Sequence, residues 1–162
     1  MKIFLPIIIL AVSACIDLSG RQNKAHIVDS MANTLLKQHP DAQIIMPEEL
    51  KAEDVLVDIR NPNERLVSTL PNAISKDDFL AKFDEFKDRR IIAYDTIGQR
   101  SIPWVTELNQ QGLSAYSLRG GILAWAHHGG VFVDTTNQET KRVHVFSEAW
   151  DMLPEGFEAI TQ

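Results

Sequence analysis

Apolar positions along this chain change period repeatedly. Ile27, Met31 and Leu35 recur at helical spacing with Val28 and Leu36 beside them, which predicts an amphipathic helix ending before His39-Pro40. Ile44-Ile45 reads as a short strand leading into Pro47 to Leu50, a short helix with proline in its first turn and Glu48 and Glu49 where the dipole favours them. Val55 to Asp58 is a β-branched apolar run of the kind buried on both faces of a parallel sheet. Helices are then predicted for Asp77 to Lys87, Ile102 to Gln111 and Ile122 to His128, alternating with strands at Arg90 to Tyr94 and Ala115 to Leu118. That alternation implies an α/β fold, a mostly parallel sheet flanked by helices on both faces. Beyond Val133, Phe146, Trp150 and Leu153 recur at helical spacing before Pro154 and Gly156. The stripe is expected to pack on the domain, against the first helix; an exposed aromatic docking patch is the alternative.

The amino terminus has another character. One lysine precedes a nearly unbroken apolar run from Ile3 to Val12, too short for a permanent span, so it reads as a secretory signal. Val12-Ser13-Ala14-Cys15 resembles the bacterial lipobox, which implies cleavage before Cys15 and acylation of its thiol. An ordinary signal peptide cut after Ala14, or a buried free cysteine, is the other reading. The expected layout is a signal peptide over 1–14, lipid attachment and tether over 15–24, a domain over 25–133 and an extension over 134–162. The chain is expected to be exported and membrane-anchored on the periplasmic face; Asp17, two residues after Cys15, leaves inner and outer membrane both open.

Composition removes several classes. With 16 Lys and Arg scattered against 22 Asp and Glu, and a net charge of -6, the chain lacks the clustered cations that grip phosphate backbones, and no nucleic acid partner is expected. A single cysteine makes no intramolecular disulfide. His127-His128 are adjacent and diverge on a helix, while His26, His39 and His144 lack spaced partners. No metal or cofactor is expected.

Chemistry in such sheets belongs where strand ends meet helix starts. Three segments lie there: Asp58 to Glu64, Asp95 to Ser101, and Arg119-Gly120-Gly121. The middle one, Asp95-Thr96-Ile97-Gly98-Gln99-Arg100-Ser101, is a glycine-containing loop running into a helix, with Ser101 as the expected N-cap and Pro103 in the first turn. Backbone amides in such a loop converge into an anion cradle.

In order and spacing these segments resemble the rhodanese-like domain. The pattern Asp-x-Arg, then Glu, then Pro-x-Ala is matched by Asp58, Arg60, Glu64, Pro71 and Ala73. The loop Cys-x-x-Gly-x-Arg-Ser is matched by Gly98, Arg100 and Ser101, and the closing Gly-Gly-x-x-x-Trp by Gly120, Gly121 and Trp125. The resemblance covers roughly Pro47 to Val133, and implies a sulfurtransferase fold whose nucleophilic cysteine would stand at Asp95. Ser68-Thr69-Leu70 and Arg65 also depart from the family pattern.

A carboxylate cannot form a persulfide, and the only cysteine is the expected acylation site. Asp95 is therefore expected to fill the cradle with its own charge and to pair with Arg100, and no residue is expected to be catalytic. Asp58, Arg60 and Glu64 are expected to form one structural ion-pair network, and Arg119 to line the pocket mouth. These readings imply a non-catalytic binding or scaffolding module at the cell envelope, held to the membrane by its lipid and serving an envelope protein partner. The alternative is a cysteine-independent hydrolase or transferase using the same pocket, which needs an open cavity with a second titratable group beside Asp95.

Overall fold

The computed structural model describes residues 8–161, with side chains described from Asn23 onward. The expected signal run and the side chain of Cys15 lie outside the described residues. Helix α1 spans Ile8–Gln38. The stretch expected as a tether, 16–24, is helical in backbone, since it contains no proline and a single glycine weakens a helix without stopping it. Strand β1 (Ile44–Ile45) and a 3-10 turn (Pro47–Glu49) follow. Then come β2 (Val55–Asp58), α2 (Pro62–Val67), β3 (Ile74–Ser75), α3 (Lys76–Ala81), α4 (Phe83–Phe86), β4 (Arg90–Tyr94), α5 (Ser101–Gln110), β5 (Ser114–Leu118) and α6 (Gly121–His127). Strands β1 to β5 form a wholly parallel sheet in the order β1-β5-β4-β2-β3.

Alternation along β4 builds both cores. Ile91 and Ala93 join Val55, Val57, Phe79, Trp104, Val105, Leu108 and Ala115 on one face. Ile92 and Tyr94 join Val28, Leu35, Leu118, Ile122 and Leu123 on the other. Each face is thus covered by helices, as parallel sheets require, because β-α-β crossovers leave no solvated side.

The predicted helix from Asp77 to Lys87 is two helices. Ser75 caps the first, its Oγ accepting from the Asp78 amide at 2.8 Å, and the backbone turns at Lys82 so that Phe83 and Phe86 both reach Phe79, at centroid distances of 6.0 and 6.1 Å. An aromatic cluster outweighs helical continuity here.

The predicted carboxyl-terminal helix is absent from the described residues. Strands β6 (Phe132–Val133) and β7 (Glu139–Thr140) pair antiparallel, and β8 (Arg142–His144) pairs parallel with β9 (Glu158–Ile160), while only Glu148–Trp150 makes a 3-10 turn. Val143 and Val145 enter the core, and the Phe146-Trp150-Leu153 stripe falls on the connection from β8 to β9, where Leu153 is buried and Phe146 is exposed. The extension packs on α1 and α6: Lys24 Nζ donates to the Leu153 carbonyl at 3.2 Å, and His127 Nε2 lies 2.7 Å from the Met152 carbonyl. No helix among the described residues is long and apolar enough to cross a membrane.

Candidate functional site

Strand β4 delivers the loop from Asp95 to Arg100 at its carboxyl end. The buried Asp95 carboxylate accepts from the amides of Ile97 (3.2 Å), Gly98 and Arg100 (2.5 Å), so loop N–H groups converge on a side chain of the loop itself. Gly98 sits at φ +116°, a conformation that side-chain-bearing residues rarely adopt. The loop is also clamped from below. The amides of Ile122 and Leu123 donate to the carbonyls of Asp95 (2.9 Å) and Thr96 (3.3 Å), and a Cβ on Gly121 would strike the Asp95 carbonyl oxygen. Gly120-Gly121 is therefore a condition of the cradle's shape.

Arg100 points mainly elsewhere. Its Nη1 and Nη2 donate to Glu64 at 2.8 and 2.9 Å in a bidentate pair, while Nε stands 3.5 Å from Asp95. Glu64 also accepts from the Asn61 amide at 2.8 Å, so one carboxylate caps α2 behind Pro62 and fixes the loop cation. Burial pushes the Glu64 carboxyl up, but the Arg100 and Asn61 hydrogen bonds and the charges of Arg100 and Arg60 outweigh it, leaving it below the usual carboxylate range.

The expected single network of Asp58, Arg60 and Glu64 is two. Arg60 pairs with Asp58 through Nε (3.0 Å) and Nη2 (2.7 Å), both side chains sealed from solvent, and Nη2 also donates to the Ser68 carbonyl at 2.6 Å. Glu64 belongs with Arg100, since α2 turns it toward the loop. Two other expectations are corrected. Ser101 is the first helical residue, with Arg100 as the N-cap, and its hydroxyl lies 2.7 Å from that of Ser117 inside the core. Arg119 donates to Asp29 (2.6 Å) and Asn33 (2.9 Å) on α1 and lines a separate cleft there, because these two partners draw its side chain toward α1.

A cavity of about 440 Å³ opens over the loop, lined by Asn61, Asp95 to Ile97, Gln99, Arg100, Phe146 and Trp150. Phe146 and Trp150 arrive from the extension, and no local signal tied them to the loop. Among the described residues, no group of three or more His, Cys, Asp or Glu could hold a metal ion.

Two tests follow from this geometry. Asp95→Ala strands the loop amides without their acceptor and is expected to lower stability by roughly 1–3 kcal/mol in denaturant melts at neutral pH. An unchanged midpoint would mean that water serves those amides equally well. On β8, burial pushes the His144 imidazole down, Glu64 pulls it up more weakly, and Arg60 and Arg100 push it down again. The unfolded chain then takes up the proton first as pH falls, so the stability tied to neutral His144 is complete above its ordinary value of about 6.5 and is lost as pH falls through that value toward the folded one. His144→Gln should flatten the stability profile between about pH 7.5 and 5.5, read as denaturant midpoints.

The fold and the loop together define an α/β domain whose chemistry centres on a strand-end amide cradle. The family model of the rhodanese-like domain matches residues 42–128, and the chain belongs to that family. It is similar to a sulfurtransferase of Allochromatium vinosum, 38% identical over 94 residues, which covers 55% of this chain and 88% of the relative. Among solved structures, a rhodanese-related protein of Thermoplasma volcanium matches with TM-score 0.50 and 25% identity, over 56% of this chain and 97% of that one. A thiosulfate sulfurtransferase of Pseudomonas aeruginosa matches with TM-score 0.54 and 23% identity, over 68% of this chain and 23% of that one, a likeness of fold.

Proposed function

We propose that this chain is a non-catalytic rhodanese-like domain that acts as a binding or scaffolding module at the bacterial cell envelope. The observation that carries this reading is the Asp95 carboxylate at the point where the loop amides converge. Sulfur transfer needs a thiolate at that point, and a carboxylate there neither attacks a sulfane sulfur nor leaves the amides free to hold an incoming anion. The open cavity is compatible with binding and also meets the first need of the hydrolase or transferase alternative. A hydrolase would also need a free titratable group, and Glu64 is held by Arg100 and the Asn61 amide.

The envelope part of the reading rests on Val12-Ser13-Ala14-Cys15 after an apolar run. Given thiosulfate and cyanide, the wild-type chain should make no thiocyanate above the uncatalysed rate, and turnover would end the non-catalytic reading. Cys15→Ser should abolish lipidation and move the protein from the membrane to the soluble fraction, read by fractionation and by the mass of the mature amino terminus. Membrane retention unaffected by the substitution would count against the anchor.

A further inference from the structure

One wall of the cavity over the loop belongs to a segment pinned at both ends and free between them. At its start the Val145 amide donates to the Ile160 carbonyl at 2.8 Å. Past its end, Lys24 Nζ stands 3.5 Å from Asp151 and donates to the Leu153 carbonyl at 3.2 Å, and the Met152 carbonyl meets His127. Residues 146–149 between these anchors bond only to their immediate neighbours. The Trp150 amide donates to the Ser147 carbonyl at 2.8 Å and the Asp151 amide to the Glu148 carbonyl at 3.0 Å, so the segment carries its own turn. Among the described residues, no hydrogen bond, ion pair or ring contact ties 146–149 to the rest of the domain, whereas the half-buried Trp150 leans on the core. A stretch held only at its ends moves at little cost in free energy.

Phe146 on this segment is 70% exposed, an unfavourable place for a phenyl ring, and it borders a cavity of about 440 Å³ that has room for it. Entry of the ring would strand no polar partner on the floor. The Asp95 carboxylate is already held by the amides of Ile97, Gly98 and Arg100, and the Arg100 guanidinium by Glu64. We propose that residues 146–149 are a strap that pivots at Val145 and Trp150 and closes the cavity with the Phe146 ring, the structure holding its open form. The strap regulates the site of the binding-module reading above and rests on that reading: the closed form excludes a partner from the Asp95 loop, and a bound partner keeps the strap open.

Relaxation dispersion of the backbone amides in the full chain reads this motion directly. Dispersion is expected at 146–149 and at loop residues 96–99, all fitted by one exchange rate, because a single movement of the ring changes the surroundings of both. Phe146→Leu keeps an apolar plug without an aromatic ring, so the strap should retain its dispersion while the shift differences at 96–99 shrink. Phe146→Asp should flatten both sets, since a carboxylate does not leave water for this cavity. Both changes fall on an exposed side chain and leave the core untouched. Flat profiles in the unsubstituted chain overturn the strap, as does dispersion at 96–99 that survives Phe146→Asp. None of these results bears on thiocyanate production, so failure of the strap and failure of the non-catalytic reading are read by separate assays.

Discussion

Asp95→Cys, made together with Cys15→Ser, is expected to gain one cyanide-releasable sulfur per chain after exposure to thiosulfate, against none in the Cys15→Ser parent. The amides of Ile97, Gly98 and Arg100 already converge on this side chain, and the amino end of α5 adds its dipole, so a thiol here should ionise readily. The thiolate attacks the sulfane sulfur of thiosulfate, the sulfur–sulfur bond of the donor breaks, and sulfite leaves with the electron pair. Cyanide then takes the outer sulfur as thiocyanate and regenerates the thiolate. A variant that takes up no sulfur would show that the cavity has drifted beyond this donor, with its walls of Phe146 and Trp150 the first place to look.

Asp58→Ala should be the most destabilising single change near the site, by about 3–5 kcal/mol, because it leaves the Arg60 guanidinium charged and sealed from water. Arg60 has little else to turn to. Its Nη2 holds the Ser68 carbonyl at 2.6 Å, its Nη1 is buried without a partner among the described residues, and its guanidinium lies 5.8 Å from the Tyr94 ring centroid. Denaturant melts measure the loss, and the double change Asp58→Ala with Arg60→Met should recover most of it, since no lone charge then remains. A loss below about 1 kcal/mol in the single variant would mean that water reaches Arg60 after all. The same substitution should disturb the cradle little, because Arg100 depends on Glu64 and not on Asp58.

The elements of the central sheet were legible because their signals are local. The Val55 to Asp58 and Arg90 to Tyr94 runs bury both faces, and each became the strand expected of it. The carboxyl-terminal extension misled for the converse reason: Phe146, Trp150 and Leu153 carry a helical period, yet they lie on the connection between β8 and β9, whose ends are set by the residue-for-residue pairing of Arg142 to His144 with Glu158 to Ile160. A connection between paired strands is placed by where those strands pair, which the local pattern does not name. Ser101 shows the same limit on a smaller scale, since its hydroxyl serves Ser117 across the core and not the helix end.

The sequence by itself determined a parallel α/β domain of the rhodanese-like family and a loop in which Asp95, Gly98 and Arg100 stand together, because spacing and backbone freedom along one short segment set all three. Tertiary structure alone decided which carboxylate holds Arg100, where Arg119 goes, and that Phe146 and Trp150 wall the cavity. The physical reason lies in the sheet order. Placing β2 beside β4 brings Glu64 within 2.8 Å of a guanidinium 36 residues away, and contacts at that separation depend on which strands pair rather than on any period in the chain.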